Sequence, residues 1–228
     1  MSRQEVKANY DRLSKYYDLF ARFERKYREA GLRKLDARGG EMVLEIGFGT
    51  GHCILALAQA VGDRGRVYGI DISEGMCNVA QARVNKAGLS QKVSLHCGDA
   101  TRLPFEADIF DAIFMSFALE LFDAPEIPTV LGECHGVLRN GGRICVVAMS
   151  QGSKHTNMLG LYEFFHKRFP KYVDCRPIFA SKTLEKAGFR IQDVVEMSMW
   201  GLPVEIVLAK RYESQRALDK SGSVESFT

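Results

Sequence analysis

Three glycines two residues apart, Gly47, Gly49 and Gly51, follow directly on the apolar run Met42-Val43-Leu44-Glu45-Ile46. Glycine admits φ > 0 and lets a ligand approach bare backbone. A helix starting just past such a turn offers unpaired N–H groups to ligand oxygens. Strand, tight turn and helix start in this order mark the place where parallel α/β sheets hold nucleotides. Two acids suit the same chemistry. Asp71 ends the run Tyr68-Gly69-Ile70, about 20 residues beyond the glycines, where a carboxylate can accept both hydroxyls of a ribose. Asp99, in Gly98-Asp99-Ala100, follows a third apolar run and offers an acceptor to an adenine amino group. Each also has a local reading, Asp71 as a helix cap and Asp99 as a turn residue. Their arrival in order, each just beyond a strand, favours the ligand. A dinucleotide fingerprint, G-x-G-x-x-G, needs glycine at 52 or 54, and His52 and Ile54 stand there.

The elements that position these residues alternate along the chain. Residues 4–36 read as helix, with Val6, Tyr10, Leu13, Tyr17 and Phe20 making one apolar, tyrosine-rich stripe. Strand 42–46, helix 51–60, strand 66–70, helix 74–87 and strand 92–96 follow, with Ser73 as N-cap and Gly88 as stop. Strand 110–116, helix 126–138, a turn at Asn140-Gly141-Gly142 and strand 143–149 continue the pattern. Helix 181–187 and strands 189–197 and 203–209 close it; the link between those strands is too short for a crossover, so they pair antiparallel. The fold class is α/β, a Rossmann-like three-layer α/β/α sandwich on a mostly parallel seven-stranded sheet with an antiparallel last strand. Domains divide as 1–40, N-terminal helices over the cofactor site; 41–210, the core; and 211–228, a flexible polar tail.

The composition, 46% hydrophobic and 26% charged over 228 residues, is that of one globular domain. A net charge of +3, from 31 Lys and Arg against 28 Asp and Glu, lacks the basic stripe of a nucleic-acid binder. None of the 6 cysteines forms a C-x-x-C pair, and the 5 histidines never fall at metal-ligand spacing, so no metal site is expected. The cysteines read as small buried hydrophobes of a reducing compartment. With no signal-like start and no apolar run of spanning length, the expected location is cytoplasmic.

The ordered set Glu45-x-Gly47-x-Gly49-x-Gly51, Gly69-Ile70-Asp71-Ile72-Ser73-x-x-Met76, Gly98-Asp99-Ala100, Leu103-Pro104-Phe105, Phe110-Asp111 and Val137-Leu138-x-x-Gly141-Gly142 resembles the class I S-adenosylmethionine-dependent methyltransferases. Within that class the ubiquinone/menaquinone-biosynthesis C-methyltransferases and their broad relatives are most similar, from about residue 6 to residue 210. The resemblance implies S-adenosylmethionine as cofactor. It implies that Gly47, Phe48, Gly49, Thr50 and Gly51 line its methionine and ribose, with Glu45 near the ammonium group. Asp71 would hold the ribose, with Ile72 and Met76 beside it; Asp99 and Ala100 would hold the adenine, and Ser116 would lie by the sulfonium. Tyr10-Asp11 and Tyr17-Asp18 resemble the family's start, where tyrosines close over the cofactor. Packing by amphipathic tyrosines explains them equally well.

One stretch departs from that pattern. The quinone enzymes tend to follow Ser-Phe with Gly-Leu-Arg-Asn, whereas here Ser116-Phe117 continues Ala118-Leu119-Glu120-Leu121-Phe122. A carboxylate near the expected substrate mouth makes an amine acceptor a competitor to a quinol. Further candidates for substrate contact are His155, Tyr162, His166 and Arg176, none assigned as catalytic. Segment 151–180, rich in aromatics and carrying Lys167, Arg168 and Lys171, reads as a lid insertion over an apolar pocket, with peripheral membrane contact as one use and a helix on the sheet edge as the other. The expected activity is methyl transfer by in-line displacement to a small, apolar or amphipathic acceptor. A nicotinamide-dependent oxidoreductase and a non-catalytic S-adenosylmethionine-binding protein are the alternatives.

Overall fold

The computed structural model describes residues 17–151, 177–199 and 201–212, with side chains from Phe23 onward. In chain order the elements are α1 (Tyr17–Leu35), β1 (Met42–Ile46), α2 (His52–Ala60), β2 (Arg66–Asp71), α3 (Glu74–Lys86), β3 (Val93–Cys97) and β4 (Phe110–Ser116). A 3-10 turn (Leu119–Leu121) leads to α4 (Ile127–Val137), β5 (Leu138–Met149), α5 (Ala180–Lys186), β6 (Arg190–Met199) and β7 (Leu202–Lys210). The strands form one seven-stranded sheet in the order β3-β2-β1-β4-β5-β7-β6. Strands β1 to β5 run parallel, and β7 pairs antiparallel with both β5 and β6.

Period-two alternation sends each strand's side chains to two different cores. On β4, Ile113 and Met115 face a core completed by α4 and α5, while Ala112 and Phe114 face one completed by α1, α2 and α3. On β5, Ile144, Val146 and Ala148 join the first core, and Cys145 and Val147 join the second. The three layers of the expected sandwich follow from this division.

Helix α1 is part of the second core. Tyr27 is buried and its hydroxyl donates to the Ser198 carbonyl at 2.6 Å. At the helix's end, Arg143 of β5 donates to the Leu35 carbonyl at 2.6 Å and to both carboxylate oxygens of Glu41, at 2.9 and 2.8 Å. This bidentate fork fixes where the helix hands over to β1. The helix lies so close to the sheet that only Gly31 fits: a Cβ there would stand 2.4 Å from Val147 Cγ2 and 3.0 Å from the Phe114 ring.

Two differences from the sequence reading have local causes. Asn140-Gly141-Gly142 lies inside β5: Gly141 N–H donates to the Arg211 carbonyl, Arg211 N–H donates to Gly142, and the β4 register shifts between Phe110 and Ala112. The glycines therefore make an irregularity held by the chain beyond β7. Residues 117–121 turn through a 3-10 helix where no periodic signal stands in the sequence. No helix among the described residues is long and apolar enough to cross a membrane.

Gly31→Ala should destabilise the protein by about 1–2 kcal/mol despite the better helix propensity of alanine, because the added methyl overpacks the interface. For a chain of this size that lowers Tm by roughly 2–8 °C in a thermal melt. A raised Tm would show that α1 lifts from the sheet without cost.

Candidate functional site

A cleft opens at the carboxyl ends of β1, β2, β3 and β4, where the strand order reverses between β1 and β4. Its empty space, open mouth included, is about 930 Å3. Ile46, Gly47 and Gly49 line it from β1, and Ile70, Asp71, Ile72 and Met76 from β2 and α3. Gly98, Asp99 and Ala100 follow from β3, and Ser116, Phe117 and Ala118 from β4. Leu121, Phe122, Asp123 and Glu126 complete the wall.

The glycine loop is held from the neighbouring strand. Gly49 N–H donates to Asp71 Oδ2 at 2.8 Å, Ser73 N–H donates to Asp71 Oδ1 at 2.9 Å, and Gly47 N–H donates to the Ile70 carbonyl at 2.8 Å. Ser73 caps α3 as expected, its hydroxyl accepting from Met76 N–H at 3.1 Å. Gly47 has φ +71°, and a Cβ on it would meet Ala118 Cβ at 2.5 Å. Asp99 closes a local turn by accepting from Thr101 N–H at 2.9 Å. The Ser116 hydroxyl is buried in the wall with no hydrogen-bond partner among the described residues.

Other members of the expected cofactor set stand behind the wall. Glu45 is buried under the glycine loop. Burial pushes its carboxyl well above the usual carboxylate range, with the Arg28 guanidinium pulling it down and Asp71 adding to the rise. Phe48 is core and packs against Gly69. Thr50 is buried and accepts from Arg83 at 3.4 Å, and Gly51, at φ +81°, leaves room for Ala80 where α2 meets α3. The Tyr17 side chain lies outside the described residues, as do Tyr10-Asp11, His155, Tyr162, His166, Arg176 and most of the 151–180 and 211–228 segments. The ends of that excursion are pinned together: Ile178 N–H donates to the Met149 carbonyl at 3.0 Å, and the Gln151 amide donates to Pro177 at 2.7 Å. The chain thus leaves and returns at the carboxyl end of β5.

Sequence reasoning missed the wall residues Phe117, Ala118, Leu121, Phe122, Asp123 and Glu126, and its candidate from this stretch, Glu120, is not among the residues that line the cleft. Phe117 has φ +52°, a left-handed backbone that costs a bulky side chain about 1–2 kcal/mol. Its N–H donates to the Val147 carbonyl at 2.8 Å and its ring meets Tyr27 edge-on at 6.2 Å, which holds it there. Glu120, in the 3-10 turn, is 1% exposed. Its Oε1 accepts from Met149 N–H at 3.1 Å and its Oε2 has no partner among the described residues. Among the described residues that line the cleft there is no lysine, arginine or histidine, against four acids, Asp71, Asp99, Asp123 and Glu126. No cluster of three or more His, Cys, Asp or Glu side chains able to hold a metal forms among the described residues.

Burial raises the Glu120 carboxyl to about 7, two backbone N–H groups pulling it down and Glu24 pushing it up. A folded-state pKa above the unfolded value means stability present below about pH 4.5 and lost as pH rises through about 7. Glu120→Gln removes that loss, about 3 kcal/mol at pH 8. Its Tm should exceed that of the parent by roughly 6–12 °C at pH 8. The difference should close by pH 4.5. Equal melting curves at both pH values would show that Glu120 is not held in a dry site.

Residues 43–142 match the family model described as a methyltransferase domain. The chain is 35% identical over 148 residues to a demethylmenaquinone methyltransferase of Geobacillus kaustophilus (strain HTA426), covering 65% of this chain and 61% of that protein. It is 34% identical over 175 residues to a demethylmenaquinone methyltransferase of Bacillus cereus (strain ATCC 10987 / NRS 248), covering 75% of this chain and 70% of that one. The chain thus spans under two thirds of the first relative's length and just over two thirds of the second's. A crystal structure of a SAM-dependent methyltransferase from Aquifex aeolicus is similar at a TM-score of 0.63 and 26% identity, covering 80% of this chain and 88% of that one. The chain belongs to the class I S-adenosylmethionine-dependent methyltransferases and, among them, resembles the demethylmenaquinone enzymes.

Proposed function

We propose that this chain binds S-adenosylmethionine in the cleft and transfers its methyl group to a small, apolar or amphipathic acceptor. The observation that carries the reading is the convergence of Gly47, Gly49, Asp71, Asp99 and Ser116, from four strand ends, on one cleft. The donor set suits the ligand. Gly47 and Gly49 present bare backbone to its methionine and ribose. A carboxylate has about four lone-pair sites, and Asp71 stands in the cleft wall where ribose hydroxyls can share it with the amides of Gly49 and Ser73. Asp99 lines the cleft with Ile72, Met76 and Ala100 and would accept from the adenine amino group. The buried Ser116 hydroxyl gains a partner when the cleft fills.

S-Adenosylmethionine supplies a methyl group already activated by its positively charged sulfur, so no covalent enzyme intermediate is required. The protein's part is to align the acceptor with the methyl carbon and to exclude water, and alignment is worth roughly 7–11 kcal/mol in favourable systems. Phe117, Leu121 and Phe122 supply the apolar surface for this in the described wall. The relatives' name gives a demethylated menaquinone as their acceptor.

Titration calorimetry with S-adenosylmethionine and S-adenosylhomocysteine tests the cofactor directly, and binding of neither would overturn the reading. Asp71→Ala should weaken binding by roughly 10- to 100-fold, the worth of a hydrogen bond to a charged group, with the circular-dichroism spectrum unchanged. An unchanged Kd would remove Asp71 from the ribose. Transfer of labelled methyl into any small-molecule fraction of a lysate separates an enzyme from a binding protein.

A further inference from the structure

The described cysteines do not share one environment. Cys53, Cys134 and Cys145 are buried as small apolar residues, whereas Cys97, which ends β3, is exposed and Cys77, in the first turn of α3, is half-buried. These last two meet. Cys77 Sγ lies 3.7 Å from the Asp71 carbonyl oxygen and 4.0 Å from that of His96, and Cys97 Sγ lies 3.9 Å from the Ile72 carbonyl oxygen. Asp71 stands opposite Cys97 in the β2–β3 register, so both sulfurs crowd the same pair of strand ends. The two thiols also hydrogen-bond to each other. Burial, then this neighbour, pushes the Cys77 thiol up, and Cys97 is the sulfur that solvent reaches. Neither cysteine lines the cleft, yet Met76 and Gly98 beside them in the chain do, as do Asp71 and Ile72, whose carbonyls they contact.

We propose that Cys77 and Cys97 are a peroxide-sensitive thiol pair whose disulfide weakens ligand binding in the adjoining cleft. The Cys97 sulfur takes one oxygen of hydrogen peroxide; the O–O bond breaks, the other oxygen leaves as water, and a sulfenic acid remains. The Cys77 sulfur then attacks that of Cys97, and the S–O bond breaks as the hydroxyl leaves with the Cys77 proton as a second water. The two thiols lose two electrons and the peroxide gains them. Both sulfurs give up the protons now directed at the Asp71, Ile72 and His96 carbonyls, and a bond of about 2.0 Å draws the first turn of α3 against the end of β3. Asp71 lies in the displaced segment, and its carboxylate holds the Gly49 and Ser73 amides. Oxidation thus shifts the group that fixes the glycine loop. This consequence rests on the cofactor reading; the bond itself does not.

The test treats the full, reduced chain with hydrogen peroxide, blocks the remaining thiols and maps tryptic peptides without reduction. Peptides 67–83 and 93–102, which carry Cys77 and Cys97, should appear joined. The oxidised protein should bind S-adenosylhomocysteine about tenfold less tightly, and dithiothreitol should restore the Kd. Cys97→Ser should bind that ligand as the reduced parent does and keep its Kd through peroxide treatment. Because coupling is reciprocal, saturating ligand should raise the reduction potential of the pair by about 30 mV in glutathione buffers, the equivalent of tenfold for two electrons. A different partner for Cys97, or its conversion to the sulfinic acid without the joined peptides, overturns the pair. Joined peptides with an unchanged Kd and potential overturn its coupling to the cleft. If the reduced parent binds neither S-adenosylmethionine nor S-adenosylhomocysteine, the cofactor reading falls and the coupling with it, while the mapped bond stands on its own.

Discussion

The Asp71 carboxylate is the tie on which the site depends. One of its oxygens accepts from Gly49 in the loop after β1, and the other from Ser73 at the start of α3. Two turns from two strands are thereby locked to one rigid group at a strand end. The glycine loop would otherwise be among the most freely moving segments of the chain, since glycine loses more conformational freedom on folding than any other residue. Fixing it in the protein means that a ligand need not bear that ordering cost on binding. The neighbouring tie, Gly47 N–H to the Ile70 carbonyl, acts in the same sense one residue earlier on β2.

How much of this was legible in the sequence differs by element. The parallel strands read correctly because each is a short apolar run bounded by glycine or a polar turn, and the antiparallel β6–β7 pair followed from a connection too short for a crossover. Asp71 and Asp99 were legible because a strand end has a known direction on such a sheet. Within the glycine loop the reading blurred. Phe48, Thr50 and Gly51 share the motif with Gly47 and Gly49, yet the backbone twist turns them toward Gly69, Arg83 and Ala80. The loop after β4 was the least legible. Its shape comes from a left-handed Phe117 held by Val147 and Tyr27, contacts 30 and 90 residues away in sequence, which no local pattern announces.

That loop is also where the molecule accepts its least favourable electrostatics. Glu45 and Glu120 are both buried, each with one oxygen unpartnered, and burial raises both carboxyls. Glu45 has the Arg28 guanidinium nearby to oppose this; Glu120 has only backbone N–H groups and the like charge of Glu24. The two acids stand behind a wall lined by four others, and burial favours the neutral form of both. A cleft of this charge stabilises cations and penalises anions, the more so where water is excluded.

The charge type of the reaction then bears on the acceptor. When an amine attacks a methylsulfonium, one positive charge enters and one leaves, moving from sulfur to nitrogen inside the same acid-lined space. When a phenolate attacks, an anion must first be held there, and the opposite charges cancel as the bond forms. The first case keeps its positive charge beside the acids of the described wall throughout the transfer. The second pays to bring the anion in and loses the cation's stabilisation on the way out. An enzyme gains rate in the chemical step only from interactions that are stronger in the transition state than in the ground state. A wall of carboxylates is neutral by that measure toward a charge that only moves, and costs rate for one that vanishes.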